Sequence, residues 1–318
     1  MISSIPTLYH YTSIKNFFDI FEKSLIYKND ILPTHIVLWG TNCFHLNDKL
    51  EYKHFVNLFI NYFEDKRQPL GENRLNLLWS TLKSVKLGIV SLSENNDSLP
   101  MWTSYGSNGN GISLGFDFYK TNFAEEILLG LSQNEQEQND FDDEYCSKSK
   151  CPLKKCPMYC NCKECNAQNF DKNIDLKDCN VKRVKYLDSF ANNEELYNTL
   201  YTTMESITNP VSEFFDVKIK YLLDSEAVWV KHPSFGYEKE WRIVSPIYPQ
   251  SQCYRLSSNN SFIPYVPIKI PINCLKRIVL GPCLDDSRLY DVKDYLKSKM
   301  INIEDICFSQ SNVPLQNI

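Results

Sequence analysis

The chain has 318 residues, 43% of them hydrophobic and 13% aromatic, which is enough apolar material for a sizeable core and argues against a disordered chain. Its formal net charge of −5 disfavours general duplex binding, which draws on a basic footprint, but leaves room for a local basic patch. Only 10 glycines occur where an average usage of about 7% gives roughly 22; with no G-x-x-x-x-G-K-[ST] and no strand-to-helix G-x-G-x-x-G, P-loop NTPases and Rossmann dehydrogenases are excluded.

In chain order, Leu8-Tyr9-His10-Tyr11-Thr12 is aromatic and β-branched and predicts a first strand. Alternation places His10 with Leu8 and Thr12 on one face and Tyr9 with Tyr11 on the other. By composition alone His10 reads as a hydrogen-bonded core histidine. Thr12 or Ser13 can cap the following helix, whose apolar positions Ile14, Phe17, Phe18, Phe21 and Leu25 recur at helical spacing. Ile36-Val37-Leu38-Trp39 is a second strand. Residues 50–85 are mostly helical with a break at Pro69-Leu70-Gly71, and before them Asp48 reads as a cap with Glu51 at a capping-box position. Gly88 to Ser93 and Ile112 to Phe118 are the next strands. Around the second of these fall Gly106, Gly109, Gly111 and Gly115, where the backbone must turn tightly or approach a ligand closely.

Residues 131–145 are acidic and polar and read as a solvated linker. Strand character resumes from Val181 to Leu187, and Glu194 to Asp224 is helical with an interruption near Pro210. Strands at 241–244, 265–270 and 277–280, a helix at 287–297 and a strand at 306–308 complete the pattern. The expected fold is one α+β domain over residues 1–130 and 181–318, with mixed, mainly antiparallel sheets and flanking helices, carrying an acidic and Cys-rich insertion at 131–180. No apolar run of about 18 residues is present, so no membrane partner is expected. Met1 to Pro6 lacks a basic n-region and an apolar h-region, which points to a cytoplasmic protein.

Cys43, Cys253, Cys274, Cys283 and Cys307 are scattered, mostly among apolar residues, and read as small buried hydrophobes. The other seven cysteines, Cys146, Cys151, Cys156, Cys160, Cys162, Cys165 and Cys179, are clustered with the spacing C-x4-C-x4-C-x3-C-x-C-x2-C before Cys179. The CxxC at Cys162 and Cys165 is half of a zinc chelate, and no histidine lies in the segment, so an all-Cys structural zinc is expected, with an iron–sulfur cluster or redox thiols as alternatives. Lys148, Lys150, Lys154, Lys155 and Lys163 would offset the thiolate charge and could also touch the phosphates of a nucleic acid.

Two further segments carry candidate chemistry. In Lys231-His232-Pro233-Ser234-Phe235-Gly236-Tyr237-Glu238-Lys239-Glu240-Trp241-Arg242, Glu238 and Glu240 stand two apart at a strand entrance, so both carboxylates can point the same way with Arg242 in line. A solvated strand edge is the plain alternative. In Pro100-Met101-Trp102-Thr103-Ser104-Tyr105-Gly106 the plain reading is a tight loop whose aromatics pack into the core.

Taken in order, LYHYTS, LWGTNCFHLND-x2-E, VSLSENNDSLPMWTSYGSNGNGISLGFD, KHPSFGYEKEWRIV and RIVLGP resemble the bacterial domain-of-unknown-function 2971 family, from about residue 7 to 310 apart from the insertion. The Y-H-Y-T strand is also similar to the His strand of ADP-ribosyltransferases of the His-Tyr-Glu type, and E-x-E before a late strand is similar to the glutamates of the Arg-Ser-Glu type. That second resemblance implies an ADP-ribosyltransferase-like fold and an enzyme that consumes NAD and modifies a macromolecular acceptor, of a kind found in toxins and anti-phage effectors. It implies that His10 holds the ribose, that Glu240 is the catalytic carboxylate and that Glu238 orients the substrate or Glu240. Tyr105, with Tyr11 and Tyr27 behind it, would stack on nicotinamide. Ser91 and Ser93 would buttress Glu240, and Arg242 would join the cofactor-binding set. Cleavage of the nicotinamide–ribose bond passes through an oxocarbenium-like state that a fixed carboxylate stabilises. A non-catalytic sensor or binding module with a zinc-stapled insertion is the alternative. A metal-dependent nuclease or hydrolase using Asp48, Glu51, Glu238 and Glu240 with a divalent ion ranks last, because no dense Asp/His motif is present.

Overall fold

A computed structural model of the chain describes residues 5–23, 25–28, 32–46, 52–65, 71–118, 173–189, 223, 225–257 and 260–315. Strand β1 (Leu8–Ser13) runs into helix α1 (Ile14–Lys23), and Ser13 Oγ accepts from Asn16 N at 3.1 Å, so Ser13 is the cap. Strands β2 (Ile26–Lys28) and β3 (Leu32–Asn42) precede helices α2 (Lys53–Asp65) and α3 (Glu72–Ser84). Strand β4 (Leu87–Ser93), helix α4 (Leu99–Ser104) and strand β5 (Gly111–Phe116) follow. From Ile174 onward come β6 (Ile174–Asp175), β7 (Asn180–Arg183), β8 (Lys185–Tyr186), β9 (Val230–Lys231), β10 (Glu240–Pro246), β11 (Cys253–Leu256), β12 (Phe262–Pro271) and β13 (Leu275–Leu280). Helix α5 (Arg288–Ser298) and β14 (Cys307–Gln310) end the set.

The architecture is α+β with a mixed, mostly antiparallel sheet, as the sequence predicts. Among the described residues, twelve strands form one sheet ordered β11-β12-β3-β4-β1-β5-β13-β14, with β10 beside β4, β7 beside β10, β2 beside β3 and β6 beside β12. Among the described residues, only β6 with β12 and β13 with β14 run parallel within it. Strands from both sides of the insertion interleave, β10 against β4 and β13 against β5, and the chain is already in the sheet at Ile174.

The feature that positions the site is a fork at β4. One edge of β4 pairs with β10 over its whole length, from Leu87↔Pro246 to Ser93↔Glu240. The other edge is shared: β3 pairs at Gly88 and Ile89, and β1 at Ser93. Two strands cannot occupy one edge, so β3 and β1 part near Ser91. The backbone acceptor freed there is met by a side chain, since His10 Nδ1 lies 3.2 Å from Ser91 O. Close approach at the base of the fork requires glycine: a Cβ at Gly88 would overlap Val266 and lie 2.8 Å from Gly40 O.

One contiguous core joins the two arms of the fork, with Leu8, Leu114 and Ile278 from one arm, Leu38, Val266 and Ile268 from the other, and Phe17, Phe21 and Leu296 from α1 and α5. The opposite face of the sheet carries two separate apolar clusters. One gathers α2, α3 and the 227–230 turn over Ile89 and Val244; the other gathers Met101 and Trp102 of α4 over Tyr9, Tyr11 and Val279. Charged residues of β9 and β10 lie on this second face, because Glu240 and Arg242 stand opposite Ser93 and Ser91.

Several expectations change in detail. The second strand is longer than four residues because β12 pairs with it from Thr41 to His35. The strand β11 was not signalled, since its alternation Cys253-Tyr254-Arg255-Leu256 leaves Tyr254 and Leu256 exposed. Of the scattered cysteines only Cys43 and Cys274 are buried; Cys253 and Cys283 are half-buried, and Cys307 is exposed on β14. The glycine loop closes on the protein itself: Gly109 takes φ +86°, and a Cβ at Gly111 would overlap the Thr12 carbonyl and meet Gly106 O at 2.7 Å. Gly111→Ala is therefore expected to lower the unfolding free energy by about 2–3 kcal/mol in urea titration, because the overlap is with backbone and cannot be relieved by a rotamer change.

Candidate functional site

The site is assembled where the buried run Ala227–Val230 delivers Lys231 to the sheet. Pro233 cannot continue a ladder, and the chain turns through a 3₁₀ segment, Pro233–Glu238, whose first N–H groups are met by His232: Ser234 N donates to His232 Nδ1 at 3.2 Å. Lys239 then adopts a left-handed conformation, φ 43° and ψ 51°, which costs a non-glycine residue about 1–2 kcal/mol. That conformation is held in place from β4: Ser93 Oγ donates to Glu238 O at 2.5 Å, Asn95 Nδ2 to Tyr237 O at 2.7 Å, and Glu94 N to Lys239 O at 3.2 Å. The reversal leaves the Glu238 and Glu240 carboxylates on one side of the chain despite the irregular backbone between them.

Those carboxylates meet two cations. Lys231 Nζ donates to Glu238 Oε2 at 2.6 Å and to Glu240 Oε2 at 3.2 Å, and lies 4.5 Å from the Phe235 ring centroid. Arg242 grips Glu240 in bidentate fashion, Nε to Oε1 at 2.9 Å and Nη2 to Oε2 at 3.0 Å, while Nη1 donates to Val228 O. Tyr105 OH donates to Glu238 Oε1 at 2.7 Å, and Glu240 N donates to Tyr186 OH at 2.8 Å. All four charged residues are buried: Lys231 at 5% exposure, Glu238 and Glu240 at 3%, Arg242 at 0%. Such burial is tolerable only with this degree of pairing.

The electrostatics follow from the packing. Burial would raise the Glu240 carboxyl, but Arg242 and Lys231, with hydrogen bonds from Arg242 and the Ser91 hydroxyl, hold it down to about 2. Burial works against the Lys231 ammonium, and Glu240 and Glu238 outweigh it, so its pKa stands above the ordinary lysine value. Burial, then the charge of Glu238, pushes the Tyr105 phenol above its usual range, and burial pushes Tyr186 up to about 12. Both tyrosines are thus neutral hydrogen-bonding groups at physiological pH. Removing the Tyr105 hydroxyl in Tyr105→Phe leaves one buried oxygen of Glu238 unmet, and is expected to cost about 1.5–3 kcal/mol in chemical denaturation.

The sequence-predicted residues converge to a large extent. Glu238, Glu240, Arg242 and Tyr105 share one network. Ser91 joins it through Glu240 and is its exposed member. Ser93 sits in it differently from expectation, bonding the Glu238 carbonyl and accepting from Asn95 N rather than touching Glu240. His10 stands on β1, beside β4 and paired with Leu114 on the face of the main core rather than the face of the network, and reaches the network through the Ser91 carbonyl; desolvation lowers its pKa, partly offset by that hydrogen bond. Tyr11 is committed elsewhere, its hydroxyl on Asn95 O at 2.8 Å and its ring edge-on to Trp102 at 4.8 Å. Tyr27 lies on β2, away from β4 and β10 in the strand order.

Cys146 to Cys165 lie outside the described residues, as do Asp48 and Glu51. Cys179 is described: it is half-buried, its thiol donates to Asp175 O at 3.5 Å, and burial pushes its pKa up to about 12. Among the described residues no group of three His, Cys, Asp or Glu side chains is arranged to hold a metal ion, and no helix is long and apolar enough to cross a membrane.

Two members of the network escaped sequence reasoning. Lys231 continues the apolar run AVWV, and a lysine at the end of a buried strand needs a carboxylate partner; that signal was present. Tyr186 carries none beyond strand character. Residues 101–243, from α4 into β10, match the model of a family described as "Protein of unknown function (DUF2971)". The matched stretch contains Tyr105, Lys231, Glu238, Glu240 and Arg242. No curated protein and no solved structure matches the chain.

Proposed function

We propose that the chain, whose residues 101–243 match the DUF2971 family model, a description that carries no activity of its own, is a cytoplasmic NAD-consuming enzyme of the ADP-ribosyltransferase kind, a toxin or anti-phage effector acting on a macromolecule. One observation supports this reading: residues from four separate segments, 91–93, 105, 186 and 231–242, meet around the paired residues Glu238 and Glu240, and the Glu240 carboxyl is held down to about 2. A permanently ionised, rigidly held carboxylate is what stabilises a ribosyl oxocarbenium ion. Glu240 is assigned that role. Ser91, exposed beside it at the fork, and His10, bonded to the Ser91 carbonyl, are assigned to the ribose hydroxyls. Tyr105 positions Glu238, and Lys231 holds the two carboxylates together. A zinc staple in the Cys146–Cys179 segment remains part of the reading, as does contact of its lysines with nucleic acid.

A second reading has its own support. Every oxygen of both carboxylates already has an internal donor, which is also what a rigid, non-catalytic binding module would build. Incubating wild-type protein with labelled NAD separates the two. Release of nicotinamide, abolished in Glu240→Gln, is expected for the enzyme. Wild-type protein that leaves NAD intact and labels nothing in a cell extract returns the site to a structural role.

A further inference from the structure

Beyond the network, the same face of the sheet carries an arginine with an unmet donor. Arg255 on β11 places Nη2 3.2 Å from Thr41 Oγ1 and Cζ 5.9 Å from the Trp39 ring centroid, while its buried Nε meets no acceptor among the described residues. Desolvation lowers its pKa, and the group opposing that is the Tyr265 phenol rather than a carboxylate. Trp39 and Tyr265, both half-buried, lie with ring centroids 5.0 Å apart at 32°. Three strands thus bring to one place an aromatic pair and a guanidinium that has no carboxylate partner among the described residues. The guanidinium is half-buried, with its Nε fully buried; a planar ligand bearing a phosphate answers both features, since a base stacks on the rings and the phosphate takes the guanidinium donors.

Register ties this place to the fork. Thr41 pairs with Ile89, so Trp39, two residues back on β3, and Ser91, two residues on along β4, share that face on the strands that part there. We propose that Trp39, Tyr265 and Arg255 form the subsite for the adenosine-diphosphate half of the nucleotide, the base against the Trp39–Tyr265 pair and a phosphate on Arg255. This rests on the NAD reading for the identity of the remaining half of the ligand. The binding step itself is non-covalent and needs no other group.

The test is calorimetric titration of the full chain with ADP, NAD and inorganic pyrophosphate, with thermal melts of every variant. Wild-type protein should bind ADP and NAD and bind pyrophosphate more weakly. Arg255→Gln and Trp39→Leu should each weaken ADP about tenfold or more, the scale of one charge-assisted contact or one stacked base. Should either variant melt early, Arg255→Lys and Trp39→Phe replace them, and both should retain part of the affinity. Absence of ADP binding to wild-type protein overturns the subsite, as does wild-type affinity in the folded variants. Pyrophosphate binding as tightly as ADP overturns the stacking role. ADP binding that depends on Arg255 and Trp39 in a protein that never consumes NAD leaves the subsite standing and removes the transferase reading instead.

Discussion

Arg242→Met is expected to destabilise the fold by about 3–5 kcal/mol, the cost of leaving a buried carboxylate without its main partner. Arg242 supplies two hydrogen bonds to Glu240 and one to Val228 O, and is fully buried on β10. Methionine fills a similar volume, so cavity formation contributes little and the loss is largely electrostatic. The pH dependence gives an independent readout. In the native state the Glu240 carboxyl titrates at about 2, below its ordinary value of 4.5, so its contribution to stability is complete above about pH 4.5 and is lost as pH falls through about 2. Without Arg242 the opposing desolvation prevails and the loss begins at higher pH. Urea unfolding at pH 7 and across pH 2–6 measures both effects. The double variant Arg242→Met/Glu240→Gln should cost less than the two single changes summed, because each single change strands the other's charge. A cost below about 1 kcal/mol for Arg242→Met would show that the network is not buried in solution as drawn.

The elements that build this network differ in how far their sequences disclose them. Strands β1, β4 and β10 are legible as short runs of apolar, aromatic and β-branched residues, and the two-residue period of a strand sets Glu240 and Arg242 on one face with Ser91 and Ser93. Helices α1 and α5 are legible from helical spacing. The fork is not legible, because it depends on which two strands compete for one edge of β4, and pairing partners are non-local. The left-handed Lys239 is equally hidden, since a lysine has no preference for that conformation and is held there by Ser93, Asn95 and Glu94. The hydrogen bond from Tyr105 to Glu238 is hidden as well, because it depends on α4 packing on Tyr9 and Tyr11, which brings Tyr105 to Glu238. The glycines of the 106–115 loop were visible as a cluster, but whether a glycine faces a ligand or a carbonyl is decided by β1, whose Thr12 carbonyl lies against Gly111. The arginine and aromatic residues of β3, β11 and β12 had no spacing signal at all, since each lies on a different strand.

Glu240→Gln is expected to reduce nicotinamide release by about 10²–10³-fold, the usual loss when one electrostatic stabiliser of a developing charge is removed. Glutamine keeps the shape and one acceptor for Arg242, so the variant should still melt cooperatively and keep its affinity for NAD. The contrast with Glu238→Gln is the informative part. Glu238 meets Tyr105 and Lys231 but has no bond to Arg242. Its neutralisation should leave Glu240 ionised and lower the rate by a smaller factor, about tenfold, by loosening Lys231. The Glu240 carboxyl lies at about 2, so the acid limb of the wild-type rate should fall only near that value. Its titration is therefore invisible across pH 5–8, and a flat rate over that interval is expected from this residue. Equal losses in the two glutamate variants would mean that the network acts as one structural unit and that neither carboxylate faces the ribose. A rate unaffected by Glu240→Gln, in a folded variant of a protein that does consume NAD, would move the reacting centre away from β10 altogether.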